Sequence, residues 1–186
     1  MRRVQGAPFP VRTEVSHVSP HPAALDDDTL LAQVREVRRK AGGPGGQRRN
    51  KVATGVHWEH TPTGITVDAS ERRSTQDNRK RALSRLRLAL AVQHREPADA
   101  AWSAPSERFT QRTAGARLTL AATHRDVAPL IAEALDRLAA RAFDVELAAT
   151  DLGLSTSRLI KLLKLHPPAL VLLNRELTLA GRNTYR

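Results

Sequence analysis

Gly43-Pro44-Gly45-Gly46-Gln47 sets three glycines around a proline, directly ahead of a glutamine. Such a segment reaches backbone angles closed to other residues, and with few Cβ atoms its backbone can approach a partner closely. Arg38, Arg39 and Lys40 precede it, and Arg48, Arg49, Asn50 and Lys51 follow it. The loop is suited to lying against a polyanion. Gln47 is neither a general base at neutral pH nor an ordinary nucleophile. It offers an amide donor, an amide acceptor and a backbone N–H, which suit placing a water and stabilising developing charge in a pre-organised site. A phosphate-binding P-loop is excluded, because the Gly-Lys-Ser/Thr ending is missing.

A loop of this kind needs firm elements on both sides. Ahead of it, residues 26–29 read as the acidic start of a short helix, and Val34 and Val37 lead into the basic run as a helix tail or a strand. Behind it, residues 52–60 and 64–69 read as two strands joined by the turn Thr61-Pro62-Thr63-Gly64. Ile65 and Val67 alternate with Thr66 and Asp68, which predicts one buried face. Ser74 and Asp77 have the spacing of a helix cap, and the helix runs to about His94. Leu83, Leu86 and Leu90 mark its core face, with Arg79, Lys80, Arg81, Arg85 and Arg87 on the others.

Charge follows the same segment. The chain of 186 residues carries a net +11, and residues 35–95 hold fifteen Lys/Arg against five Asp/Glu, a net of about +10. A compositional bias would spread the excess, so this concentration points to nucleic acid or another polyanion. Aromatic residues make up only 3%, so Leu, Ala and Val must fill the core. No apolar run approaches the roughly 20 residues of a membrane helix, and Arg2 and Arg3 are not followed by a signal-like apolar stretch. The absence of cysteine excludes disulfides and thiolate metal sites and fits a reducing compartment.

The wider pattern resembles a known family. Gly43-Pro44-Gly45-Gly46-Gln47, Asn50-Lys51, Thr54, Val56, His60-Thr61-Pro62-Thr63-Gly64, Arg73-Ser74, Asn78-Arg79 and Ala82-Leu83 resemble the catalytic domain of bacterial peptide-chain release factors. The resemblance covers roughly residues 34–95. It implies that the loop enters the ribosomal peptidyl-transferase centre and promotes attack of water on the ester of P-site peptidyl-tRNA. The implied centre is Gln47, whose backbone N–H stabilises the tetrahedral intermediate or the departing ribose oxygen while its side chain admits water. Gly45 and Gly46 supply the backbone geometry. Arg38, Arg39, Lys40, Arg48, Arg49, Asn50, Lys51, Arg73, Arg79 and Lys80 become the residues expected against ribosomal RNA and tRNA. The resemblance also implies a glutamine methyltransferase acting on Gln47, and on the residues themselves no cofactor or metal is expected. The chain departs from the family pattern at Gly42, Arg48 and Thr75, where Ser, His and Gln are common.

Stop-codon-reading factors carry a further large domain and reading motifs of Pro-Ala-Thr or Ser-Pro-Phe type. About forty residues precede the loop here and no such tripeptide is seen, so codon-independent rescue of stalled ribosomes is the expected role. The alternative is a non-catalytic ribosome- or RNA-binding protein that uses the basic face and the C-terminal helices.

Four helices are expected beyond the basic segment, at 128–142, 144–152, 155–165 and 168–179. Residues 148–159 look like a helix-turn-helix, with Gly153 in the turn and Ser155 as cap. Arg158, Lys161 and Lys164 on its second helix are a candidate secondary RNA contact, though a helical hairpin with a solvated basic face fits the same residues. A DNA-binding regulator would place most of the positive charge in the wrong half. His57 and His60 stand three apart in a strand and so face opposite ways, which argues against a metal pair. Trp58 and Trp102 suit core or linker packing. The expected whole is an α+β protein, monomeric and cytoplasmic. It has an irregular leader (1–24), a catalytic domain with a few-stranded sheet and a long basic helix (25–95), a linker (96–112) and a helical domain (113–186).

Overall fold

The computed structural model describes residues 20–37, 54–96, 104–115 and 120–186. A 3-10 turn, Pro22–Ala24, leads into helix α1, Asp27–Ala32. Asp26 caps α1 by accepting from the Thr29 backbone N–H at 2.8 Å and the Thr29 hydroxyl at 2.7 Å. Those bonds hold the Asp26 carboxyl below the ordinary carboxylate range.

Three short strands follow, β1 (Val34–Glu36), β2 (Val56–His60) and β3 (Ile65–Ala69), in an antiparallel sheet of order β1-β2-β3. Glu36 lies opposite Trp58, and Val56 opposite Ala69. Alternation sorts the faces: Val56, Trp58 and His60 are buried, with Ala69, Val67 and Ile65 as their cross-strand partners. The other face carries the directly opposed pairs Arg35–Glu59, at 2.8 Å, and His57–Asp68. Gly64 closes the β2–β3 turn at φ +70°, a conformation that favours glycine.

The long helix α2, Thr75–Gln93, starts where the Ser74 hydroxyl accepts from the Asp77 N–H at 3.3 Å. Ala82, Leu86 and Leu90 are fully buried and Leu83 is half-buried, so the expected apolar face packs as read. One side of α2 lies on β2 and β3, and the other meets α4, Val127–Ala140. Around α4 stand α3 (Glu107–Thr113), α5 (Val145–Asp151), α6 (Thr156–Lys164) and α7 (Pro167–Leu179). Ten of the fourteen residues of α4 are buried, which makes it the central helix rather than a surface one. Its buried Arg137 is tolerated because the Asp151 carboxylate receives both it and Arg141, through Nε atoms at 2.5 and 2.6 Å. One hydrophobic core of mostly Leu, Ala, Val and Ile runs through the sheet side and the helical side alike. The architecture is α+β.

Several elements differ from the sequence expectation. Residues 52 and 53 of the expected first strand lie outside the described residues, and the ladder of β2 begins at Val56, with Thr54 bonded instead to the Asn78 side chain and the Arg72 carbonyl. The stretch 96–112, read as a linker on its two prolines, contains most of α3, which Phe109 anchors with no exposed surface. Within the expected leader, Ala23 is fully buried, because the turn at 22–24 packs on α2 and α4. Arg87, expected on the faces of α2 away from the core, has a side chain only 12% exposed. It donates to the carbonyl oxygens of Ala23 at 3.0 Å and Leu25 at 2.6 Å and pairs with Asp27 at 2.5 Å, tying the turn and α1 to α2. Trp58 is a core residue, whereas Trp102 lies outside the described residues.

Candidate active site

Gly45, Gly46 and Gln47 lie outside the described residues, with Arg38, Arg39, Lys40, Arg48, Arg49, Asn50 and Lys51. What the structure places is the frame around them. Residues 38–53 connect two adjacent antiparallel strands, so the chain leaves and re-enters the frame at one end of the sheet. On the outgoing side, Val37 extends the ladder by one bond, donating its N–H to the His57 carbonyl at 2.7 Å.

The returning side is held differently. The Thr54 hydroxyl donates to the Arg72 carbonyl at 3.2 Å, and the Thr54 carbonyl accepts from Asn78 Nδ2 at 2.7 Å. Asn78, in the first turns of α2, has no exposed surface. Its Oδ1 accepts from the Arg72 N–H at 2.9 Å, and its Nδ2 also donates to the Arg72 carbonyl at 2.9 Å. Gly55, next in the chain, lies close to Ser70: a Cβ there would stand 3.3 Å from the Ser70 Cβ. The next residue, Arg79, reaches the Glu36 carboxylate on the outgoing side at 3.2 Å, with both side chains about half exposed. Sequence reading named Asn78 only as part of the resemblance. The signal that could have found it is a lone asparagine one turn inside a basic helix, where an amide is costly to bury unless backbone groups meet it.

The described cations divide into tethered and open ones. Arg73 and Lys80 are exposed near the start of α2. Lys80 lines a cleft of about 210 Å³ with Arg87, His124 and Arg125, between α2 and the start of α4. On α6, Lys161 and Lys164 are exposed, whereas Arg158 is half-buried and donates through Nη2 to the Thr113 carbonyl. The three therefore do not form one surface of equivalent cations.

His57 and His60 sit on opposite faces of β2. His60 is fully buried, with Nδ1 against the Thr63 hydroxyl at 2.8 Å and Nε2 against Gln33 Oε1 at 2.9 Å. Burial draws its pKa below the ordinary histidine value. Among the described residues, no group of three or more His, Asp or Glu side chains could hold a metal ion. None of the described helices is long and apolar enough to cross a membrane.

The RF-1 domain family matches residues 30–126, just over half of the chain. The chain belongs to that family. Peptide chain release factor 1 of Chloroherpeton thalassium is 38% identical over 96 residues, covering 48% of this chain and 27% of the relative. Chloroplastic peptide chain release factor PrfB1 of Arabidopsis thaliana is 51% identical over 53 residues, covering 28% of this chain and 12% of the relative. The chain thus spans about a quarter or less of the length of these relatives. No solved structure matches it significantly. The RF-1 domain match starts within α1 and stops at Asp126, the residue ahead of α4, so helices α4 to α7 lie beyond it.

Proposed function

We propose that this RF-1 domain protein acts in the ribosome as a peptidyl-tRNA hydrolase of release-factor type. Gly45, Gly46 and Gln47 form the loop that reaches the peptidyl-transferase centre. There, water adds to the ester carbonyl carbon, the bond from that carbon to the tRNA ribose oxygen breaks, and the departing oxygen takes up a proton. The Gln47 backbone N–H stabilises the oxygen that gains charge, and its side-chain amide selects water. The basic residues Arg38, Arg39, Lys40, Arg48, Arg49, Lys51, Arg73, Arg79 and Lys80, with Asn50, meet RNA. The observation that carries the reading is the RF-1 domain match over 30–126, which spans the Gly-Gly-Gln loop and the frame that holds it.

The finer part of the proposal is independence from a stop codon, in the manner of ribosome rescue. It rests on the sequence alone, where neither Pro-Ala-Thr nor Ser-Pro-Phe occurs among the 186 residues. Modification of Gln47 by a glutamine methyltransferase belongs to the same proposal.

The test is release of labelled peptide from purified ribosomes carrying P-site peptidyl-tRNA, with a stop codon, a sense codon or a truncated messenger. Wild type releases peptide on truncated messenger or on any codon, and Gln47→Ala is slower by roughly 10–100-fold while still binding ribosomes. Release confined to stop codons overturns codon independence. Ribosome binding without release on any template overturns hydrolysis and leaves the non-catalytic RNA-binding reading.

A further inference from the structure

Residues 38–53 are joined to the fold by two roots of different construction. The outgoing root is a continuation of the sheet, through the Val37–His57 bond. The returning root, Thr54 and Gly55, precedes the first ladder residue of β2. Side-chain chemistry holds it in place of the ladder: the Asn78 donor on the Thr54 carbonyl at 2.7 Å and the Thr54 hydroxyl on the Arg72 carbonyl at 3.2 Å.

Asn78 is an unusual choice for a site with no exposed surface. An apolar side chain would fill it without desolvating an amide, so an amide there points to a demand for orientation as well as packing. Its side-chain amide bonds to backbone groups: the N–H and carbonyl of Arg72, each at 2.9 Å, and the carbonyl of Thr54. Asparagine has two side-chain torsions, and burial in α2 leaves them little freedom. Three backbone groups are thereby locked to a helix that packs on the sheet.

We infer that Asn78 is a positioning residue for peptide release: acting through Thr54, it fixes the direction in which the chain returns from the Gly-Gly-Gln loop. It touches neither tRNA nor the reacting atoms. The inference rests on the hydrolase reading above, and it names a residue of the frame rather than of the loop. Misplacement of a catalytic group by about 1 Å costs on the order of 10²-fold in rate. A root freed at Thr54 therefore acts on the chemical step more than on docking.

The experiment titrates the full-length protein against a fixed amount of ribosomes with labelled peptidyl-tRNA. It compares wild type, Gln47→Ala, Asn78→Ala and Asn78→Asp. Asn78→Asp keeps the size and the acceptor toward the Arg72 N–H, and removes the donor toward the Thr54 and Arg72 carbonyls. The expected result is a plateau release rate at least about tenfold lower for both Asn78 variants, with the half-saturating protein concentration of Asn78→Ala within about twofold of wild type. A variant that is merely part-unfolded behaves oppositely, with an unchanged plateau and a raised half-saturating concentration. Either that outcome or a full wild-type plateau for Asn78→Asp overturns the positioning role while leaving the hydrolase reading intact. Wild type without Gln47-dependent release overturns that reading and the positioning role together.

Discussion

The guanidinium of Arg158 on α6 donates to the backbone carbonyl of Thr113, the last residue of α3, 45 residues earlier in the chain. This bond joins the helix-turn-helix-like pair α5–α6 to a helix inside the segment matched by the RF-1 domain family. Lys161 and Lys164, on the same helix, stay in solvent.

The α6 cations are therefore expected to separate on substitution. Arg158→Ala removes a charged donor from the carbonyl of buried Thr113 and lowers unfolding free energy by about 1–3 kcal/mol. Lys161→Ala and Lys164→Ala leave stability within about 0.5 kcal/mol. If α6 meets RNA, the lysine pair weakens ribosome binding and flattens its salt dependence. Urea titration and ribosome co-sedimentation at two salt concentrations read both quantities.

Phe109 tests the element that sequence reading passed over. It is the largest fully buried side chain among the described residues, and its helix α3 packs on α4. Phe109→Ala is expected to cost about 3–5 kcal/mol, as a core residue does and a linker residue does not. Chemical denaturation checks this directly.

Acid sensitivity follows from buried groups around the C-terminal end of α2. His21 Nδ1 accepts from the Ala23 N–H at 3.0 Å, and its ring meets His94 edge-on, with centroids 5.3 Å apart. Burial draws the His21 pKa from 6.5 down to about 4. The unfolded chain therefore binds the proton first, and stability falls as pH drops from about 6.5 to about 4, by up to about 3 kcal/mol. Asp136 works in the opposite sense, since burial beside Arg95 raises its carboxyl from 3.8 to about 6 and the folded form gains stability as pH falls through that range. His21→Asn is thus expected to lose less stability than wild type between pH 7 and pH 4.5, and Asp136→Asn to lose more. Urea midpoints at the two pH values decide it.

The sequence by itself determined what depends on near neighbours. The caps at Asp26, Ser74, Asp144 and Ser155 each bond a backbone N–H three residues on, so composition and spacing sufficed to place those helix starts. The turn at 61–64 and the apolar stripe of α2 are legible for the same reason. Tertiary structure decided which members of a uniform-looking set are set apart. Arg87 is largely buried while Lys80 is open, Arg158 is tethered while Lys161 is free in solvent, and Asn78 holds Thr54 while Thr75, Gln76 and Asp77 beside it face water. Those outcomes turn on carbonyl groups 24 to 64 residues away. A lone buried carbonyl demands a donor wherever the chain can supply one, and no local pattern records which side chain will be in reach.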